Sequence, residues 1–123
     1  MEHPTFGNGK ICYIQMPAVD IQKSAAFYST VFGWNVRQRG DGSVSFDDGV
    51  GEVSGEWTTH RKVVADPGFM ISIMVDDIEA TIEKVTANGG VIVRPVGMDA
   101  PELTAHFTDP AGNCLGLYQH HRK

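Results

Sequence analysis

From Ile11 to Met16 apolar and polar side chains alternate, as in a half-buried strand. Cys12, Ile14 and Met16 fall on one face, and Ile11, Tyr13 and Gln15 on the other. Pro17 ends the run. Asp20 then stands as a helix N-cap, and Ile21, Ala25, Tyr28 and Phe32 recur at helical spacing before Gly33 stops the helix. Trp34–Arg39, Ser43–Phe46 and Glu52–Trp57 read as strands, separated by the turns Gly40-Asp41-Gly42 and Asp47-Asp48-Gly49.

The order then starts again. Phe69–Val75 alternates, with Ile71, Ile73 and Val75 opposite Met70, Ser72 and Met74. Asp76 or Asp77 caps a helix with Ile78, Ile82 and Val85 on its apolar face, closed by Asn88-Gly89-Gly90. Val91–Val96, Thr104–Thr108 and Cys114–Gln119 read as three further strands, the last two joined by Asp109-Pro110-Ala111-Gly112-Asn113. A shift of 57 positions lays Tyr13–Arg37 over Met70–Arg94 without a gap. Ile14 then meets Ile71, Asp20-Ile21 meets Asp77-Ile78, Gly33 meets Gly90 and Val36-Arg37 meets Val93-Arg94. The coincidences fall on strand core, helix cap, helix stop and following strand. The chain is expected to be α+β, built of two βαβββ modules at 10–57 and 69–119 joined by a polar linker, 58–68. Neither half has the apolar surface to be stable alone, so the expectation is a single domain, 1–123, whose halves need each other.

Composition narrows the class. The 123 residues carry ten Lys and Arg against fifteen Asp and Glu, a net charge of −5. An acidic chain with scattered basic residues is a poor partner for nucleic acid, whose phosphates need a basic face. No apolar run approaches the ~20 residues that cross a bilayer, and the start Met1-Glu2-His3-Pro4 lacks the segments of a signal peptide. No membrane partner and a cytoplasmic location are therefore expected. Cys12 and Cys114, on opposite strand faces, are expected to be reduced thiols, Cys12 turned to the helix layer with Ile14 and Cys114 sharing the other face with Gly116.

The paired βαβββ halves, the segment Asp20–Tyr28 running into Val31-Phe32-Gly33-Trp34, and the turn Asp109–Asn113 resemble the vicinal oxygen chelate superfamily. That superfamily groups glyoxalase I, extradiol dioxygenases, fosfomycin-resistance transferases and bleomycin-binding proteins. The resemblance runs from about Lys10 to Gln119. It implies an incomplete barrel with a central cleft, in whose metalloenzymes one divalent ion is held from the first and last strands of each half. It also implies a homodimer. Position by position, the first-strand ligand sites fall on Tyr13 and Met70 and the last-strand site of the second half on Gly116. Its counterpart in the first half lies within Glu52–Trp57.

A hard or borderline divalent ion needs imidazole nitrogen and carboxylate oxygen. A neutral phenol, a thioether and a glycine supply neither, and Glu52 or Glu56 offers at most one carboxylate. No metal and no cofactor are therefore expected. His3, His60, His120 and His121 lie in the arm, the linker and the terminus, and no pair has the i, i+4 spacing of a helical zinc site. His106 remains open as a surface residue or as a cleft donor, acceptor or base. The replacements suit an organic ligand: Tyr13, Met70, Tyr118 and Trp57 supply aromatic and sulfur-bearing surface, and Gln15, Ser72 and His106 orient polar groups beside Gly116. The same side chains can alternatively fill a core. Trp34 is expected to pack. The reading is a metal-free binder of a small organic molecule of the glyoxalase/bleomycin-resistance type. The alternatives are a glyoxalase-like lyase, isomerase or dioxygenase with a rearranged metal site or metal-free base chemistry, and a domain kept for its interaction surface.

Overall fold

The computed structural model describes residues 4–120. His3 and His121 lie outside them. The chain forms two compact units, 1–62 and 63–123, divided inside the polar stretch 58–68. In the first unit the elements are β1 (Tyr13–Pro17), α1 (Ile21–Phe32), β2 (Asn35–Gln38), β3 (Val44–Asp47) and β4 (Ser54–Thr58). In the second they are β5 (Ser72–Val75), α2 (Ile78–Ala87), β6 (Val91–Arg94), β7 (Leu103–Thr108) and β8 (Cys114–Gln119). Each unit holds one four-stranded mixed sheet, ordered β1-β4-β3-β2 and β5-β8-β7-β6. Neither sheet closes on itself. The parallel pairs are β1 with β4 and β5 with β8, as expected where a helix carries the chain across a sheet. None of the helices is long and apolar enough to cross a membrane among the described residues.

Both helices start on the aspartates that the pattern marks. Asp20 Oδ1 accepts from Lys23 N at 3.2 Å, and Asp77 Oδ1 from Ala80 N at 3.1 Å, each satisfying an amide left over in the first turn. Gly33 ends α1 in the left-handed region at φ 72°, which costs glycine little. The second helix ends sooner: Asn88 caps it and Gly89, not Gly90, takes the positive φ, 95°. The buried faces also sit rotated from the apolar spacing. In α1 they are Ser24, Ala25, Phe27, Tyr28 and Val31, with Ile21 and Phe32 at the margins. In α2, Thr81 takes the place expected of Ile82.

The first core is aromatic. Tyr28 stacks on Trp34 at 4.7 Å between centroids, Trp34 on Phe46 at 4.6 Å, and Phe46 tilts against Trp57 at 4.7 Å. These rings lie between α1 and the sheet, and the burial of each contributes about 1.5–3 kcal/mol. The strand neighbour of Phe46 is Gly55, and the ring lies over it. The second core is aliphatic by comparison: Ile78 and Val85 of α2 pack with Ala105, Phe107, Leu115 and Leu117. At its end, the buried Asp109 closes the β7–β8 turn. Its Oδ1 accepts from the amides of Ala111, Gly112 and Asn113 at 3.0, 3.0 and 2.9 Å, and its Oδ2 from Asn113 Nδ2 at 3.0 Å. The turn is structural.

Three substitutions probe this arrangement. A Cβ at position 55 collides with the Ile14 carbonyl oxygen and the Phe46 ring, and the backbone half of that clash cannot swing away. Gly55→Ala should cost about 1–3 kcal/mol in urea denaturation. Gly40→Ala, where a Cβ meets nothing within 4 Å, should be near neutral. Asp109→Ala strips three amides of a buried acceptor and should cost about 1–3 kcal/mol or more by the same measurement.

Candidate functional site

One helix covers one face of each sheet, so alternate strand residues face the other way. On the first sheet that open face carries Tyr13 and Gln15 of β1, Ser54 and Glu56 of β4, Ser45 and Asp47 of β3, and Asn35 and Arg37 of β2. The registers pair Gln15 with Glu56 and Asp47 with both Ser54 and Asn35. Gln15 Nε2 donates to Glu56 Oε2 at 2.9 Å, and Gln15 Oε1 accepts from Arg61 Nε at 2.8 Å. Glu52, by contrast, lies before β4 and binds Thr5 and Lys10. Glu56 is therefore the carboxylate on the open face.

Asp47 gathers its own network. Arg37 grips it with two bonds, at 3.2 and 3.0 Å, and Asn35 and Ser54 donate to it at 3.1 and 2.8 Å. Partial burial works against the charged carboxylate, but the hydrogen bonds from Asn35, Ser54 and Arg37 outweigh it and hold the acid below its usual range.

Trp57 is a correction to the sequence reading. Its side chain is 2% exposed and sits against Tyr28 and Phe46, on the helix side of β4. Strand parity explains this: Glu56 faces outward, so its neighbour must face α1. Cys12 is a second correction, since it precedes β1 and is exposed rather than turned to the helix layer.

The open face of the second sheet carries Ser72 and Met74 of β5, Cys114, Gly116 and Tyr118 of β8, and Thr104, His106 and Thr108 of β7. Ser72 pairs with Gly116, Gly116 with His106, and Tyr118 with both Met74 and Thr104. Met70, just before β5, reaches the same place: a Cβ at Gly116 would stand 2.7 Å from Ser72 Oγ and 3.6 Å from Met70 Cγ. Met70 and Met74 are 41% and 69% exposed, unusual for side chains of a packed core. His106 is half-buried, opposite Ala105 and Phe107. A bulge in β6 between Ile92 and Arg94 brings Arg94 into register with His106. Arg94 Nη2 then donates to Asp99 at 2.8 Å, and Thr104 Oγ1 to the other oxygen at 2.5 Å, so the Asp99 carboxyl is held below its usual range by Thr104 first and Arg94 second. Tyr118 shares a hydrogen bond with His120 at 3.3 Å. Cys114 is a half-buried free thiol, pushed up by burial and by Asp66.

Gln15, Tyr13 and Glu56 thus share the face of one sheet, and Met70, Ser72, His106, Gly116 and Tyr118 the face of the other. Arg61, Arg94 and Asp99 escape a reading by pattern. The coincidence of Arg37 with Arg94 across the repeat was the available signal for the second, because each grips an aspartate on its own sheet.

The register also identifies the fourth strand position. Gln15 and Ser72 correspond under the 57-residue shift, and their partners are Glu56 and Gly116. The positions that hold an ion in the family's metalloenzymes are then Tyr13, Glu56, Met70 and Gly116. The first unit then offers a phenol and one carboxylate and the second a thioether and a bare backbone, and neither pair is a donor set for a hard or borderline divalent ion. Among the described residues no three His, Cys, Asp or Glu side chains are grouped to hold a metal.

Two units, each a strand, a helix and three strands with one sheet face turned away from the helix, define a glyoxalase-like fold. The chain belongs to the Glyoxalase/Bleomycin resistance protein/Dioxygenase superfamily, whose family model matches residues 10–117. It is 33% identical over 115 residues to a glyoxylase-like domain-containing protein of Didymella fabae, covering 86% of this chain and 90% of that one. It spans 45% of the length of mycobacterial relatives that it matches at 28% identity. Among solved structures, the fosfomycin resistance protein FosX of Listeria monocytogenes superposes with a TM-score of 0.76 at 14% identity, over 92% of each chain. The antibiotic binding protein TnmS3 of Streptomyces sp. CB03234 gives 0.69 at 19% identity, over 95% of this chain and 100% of that one.

Asp47 supplies a pH test. Its carboxyl is held below the unfolded value, near 3.8, so its contribution is complete above that pH and is lost as pH falls through the lower folded value. Urea midpoints measured from pH 6 to pH 2 should therefore separate wild type from Asp47→Asn most at the upper end. The gap should close in acid.

Proposed function

We propose that this protein binds a small organic molecule on the open face of its second sheet, without the metal ion of the family's enzymes. The observation that supports this most is the exposure of Met70 and Met74, 41% and 69%, on a sheet face that also carries Ser72, His106 and Tyr118. Gly116 itself is buried, and an added Cβ would stand 2.7 Å from Ser72 Oγ and 3.6 Å from Met70 Cγ. The face is chemically mixed. Methionines adapt to an irregular apolar outline, Tyr118 adds aromatic area, and Ser72 and His106 donate or accept at fixed points. That combination suits a flat, mostly apolar molecule with a few polar atoms. An antibiotic is what the Streptomyces structural neighbour is described as binding, on the same fold.

The residues derive the absence of metal in this reading. Tyr13, Glu56, Met70 and Gly116 stand at the family's ligand positions, and Glu56 is already an acceptor for Gln15. Elemental analysis of protein purified without added metal or chelator should find no stoichiometric Fe, Ni, Zn or Mn. One such ion per chain would overturn this half of the reading.

The binding half is tested with Nile red, a flat uncharged dye. Wild type should bind it saturably with a rise in fluorescence. Gly116→Leu, which forces the Ser72 and Met70 side chains aside, and Met70→Ser, which removes one of the exposed methionines, should each weaken binding about tenfold or more while the far-UV circular dichroism stays native. Unchanged binding in both natively folded variants would sink the proposal.

A further inference from the structure

We propose that Arg61, on the first unit, is an anion-recognising residue that takes a small aromatic carboxylate. Three side chains far apart in sequence meet there in a directed chain. Glu56 accepts from the amide nitrogen of Gln15, which turns the amide oxygen of Gln15 outward, and that oxygen accepts from Arg61 Nε. The carboxylate decides the orientation of the amide, since it can only accept while the amide nitrogen can only donate. The amide in turn fixes the plane of the guanidinium through Nε. Nη1 and Nη2 of Arg61 have no partner among the described residues, although the arginines of the two Asp networks, Arg37 and Arg94, each spend Nη2 on a carboxylate.

A guanidinium tethered by Nε presents its two terminal nitrogens as a planar fork, the shape that takes both oxygens of a carboxylate. Holding the plane in advance reduces the ordering cost of binding. The charge count selects the ligand. Arg61 brings one positive charge and Glu56 one negative charge close by, so a monoanion is favoured over a phosphate or phosphonate dianion. Two residues before Gln15, and so about 7 Å along the same strand face, Tyr13 is 49% exposed and offers an aromatic surface. A ring on Tyr13 with its carboxylate on Arg61 describes a one-ring aromatic acid.

Its test uses probes other than the dye. Titration calorimetry of the full chain with benzoate should show saturable binding, with benzamide and inorganic phosphate each at least about tenfold weaker. Arg61→Gln should lose about tenfold or more. Arg61→Lys should also lose affinity, because an ammonium keeps the charge but not the fork. Gln15→Leu should weaken benzoate while leaving Nile red binding unchanged, and Gly116→Leu should do the reverse. No benzoate binding by wild type, equal binding of benzamide, or full affinity in Arg61→Gln would each overturn the proposal. Loss of benzoate binding in Gly116→Leu would overturn the assignment to the first sheet.

Discussion

A four-stranded sheet with a single helix can bury only one of its faces, and that constraint organises both units. The covered face is apolar where it is buried: Met16, Val44, Phe46 and Trp57 in the first sheet, Ala105, Phe107, Leu115 and Leu117 in the second. Strand alternation then hands every intervening position to the other face. What those positions carry is free of the packing demand, which is why the chemistry of the protein is found there. It also explains why Gly55 is needed on the covered side. Phe46 can lie flat in the stack with Trp34 and Trp57 only if the strand beside it carries no side chain at that point.

The two halves keep the same frame and diverge in its contents. Both cap their helices on aspartate, and both hold an aspartate with an arginine at corresponding positions, Arg37 and Arg94. The cores differ, a stack of large rings in one and branched aliphatics in the other. The open faces differ more. Gln15 and Glu56 carry hydrogen-bonding groups at the pair of positions that Ser72 and Gly116 occupy in the second half. A polar relay in the first half thus stands where the second has a hydroxyl and a bare backbone.

Much of the frame is legible in the order of residues, because punctuation is local. Asp20 and Gly33 bound α1 through bonds within a few residues, and the Cys114–Gln119 strand is read to its ends. The alternation of Ser72 and Met74 against Ile73 and Val75 appears in β5 for the same reason. What escapes depends on partners chosen across the sheet. Trp57 was assignable only once Glu56 was known to pair with Gln15, 41 residues away. A short strand beginning in the Asp48–Val53 turn gives no internal clue to its parity, since Asp48 ties down the amides of Glu52 and Val53 before the strand starts. The helix faces were rotated because Ser24 and Thr81, polar by type, are small enough to be buried under the sheet, Thr81 returning its hydroxyl to Asp77 O.

Arg61 shows the limit most clearly. In sequence it is one of a basic pair in a polar stretch, indistinguishable from a solvated linker residue. Its meaning comes from a bond to Gln15 across 46 positions, and from the fact that Gln15 is itself oriented by a third residue. A relay of this kind has a direction: carboxylate to amide to guanidinium, each donor left one choice by the acceptor before it. Removing Glu56 would leave Gln15 able to flip and offer nitrogen where Arg61 needs oxygen. The Glu56 carboxylate thus acts on the Arg61 guanidinium at one remove, by fixing which end of the Gln15 amide faces it.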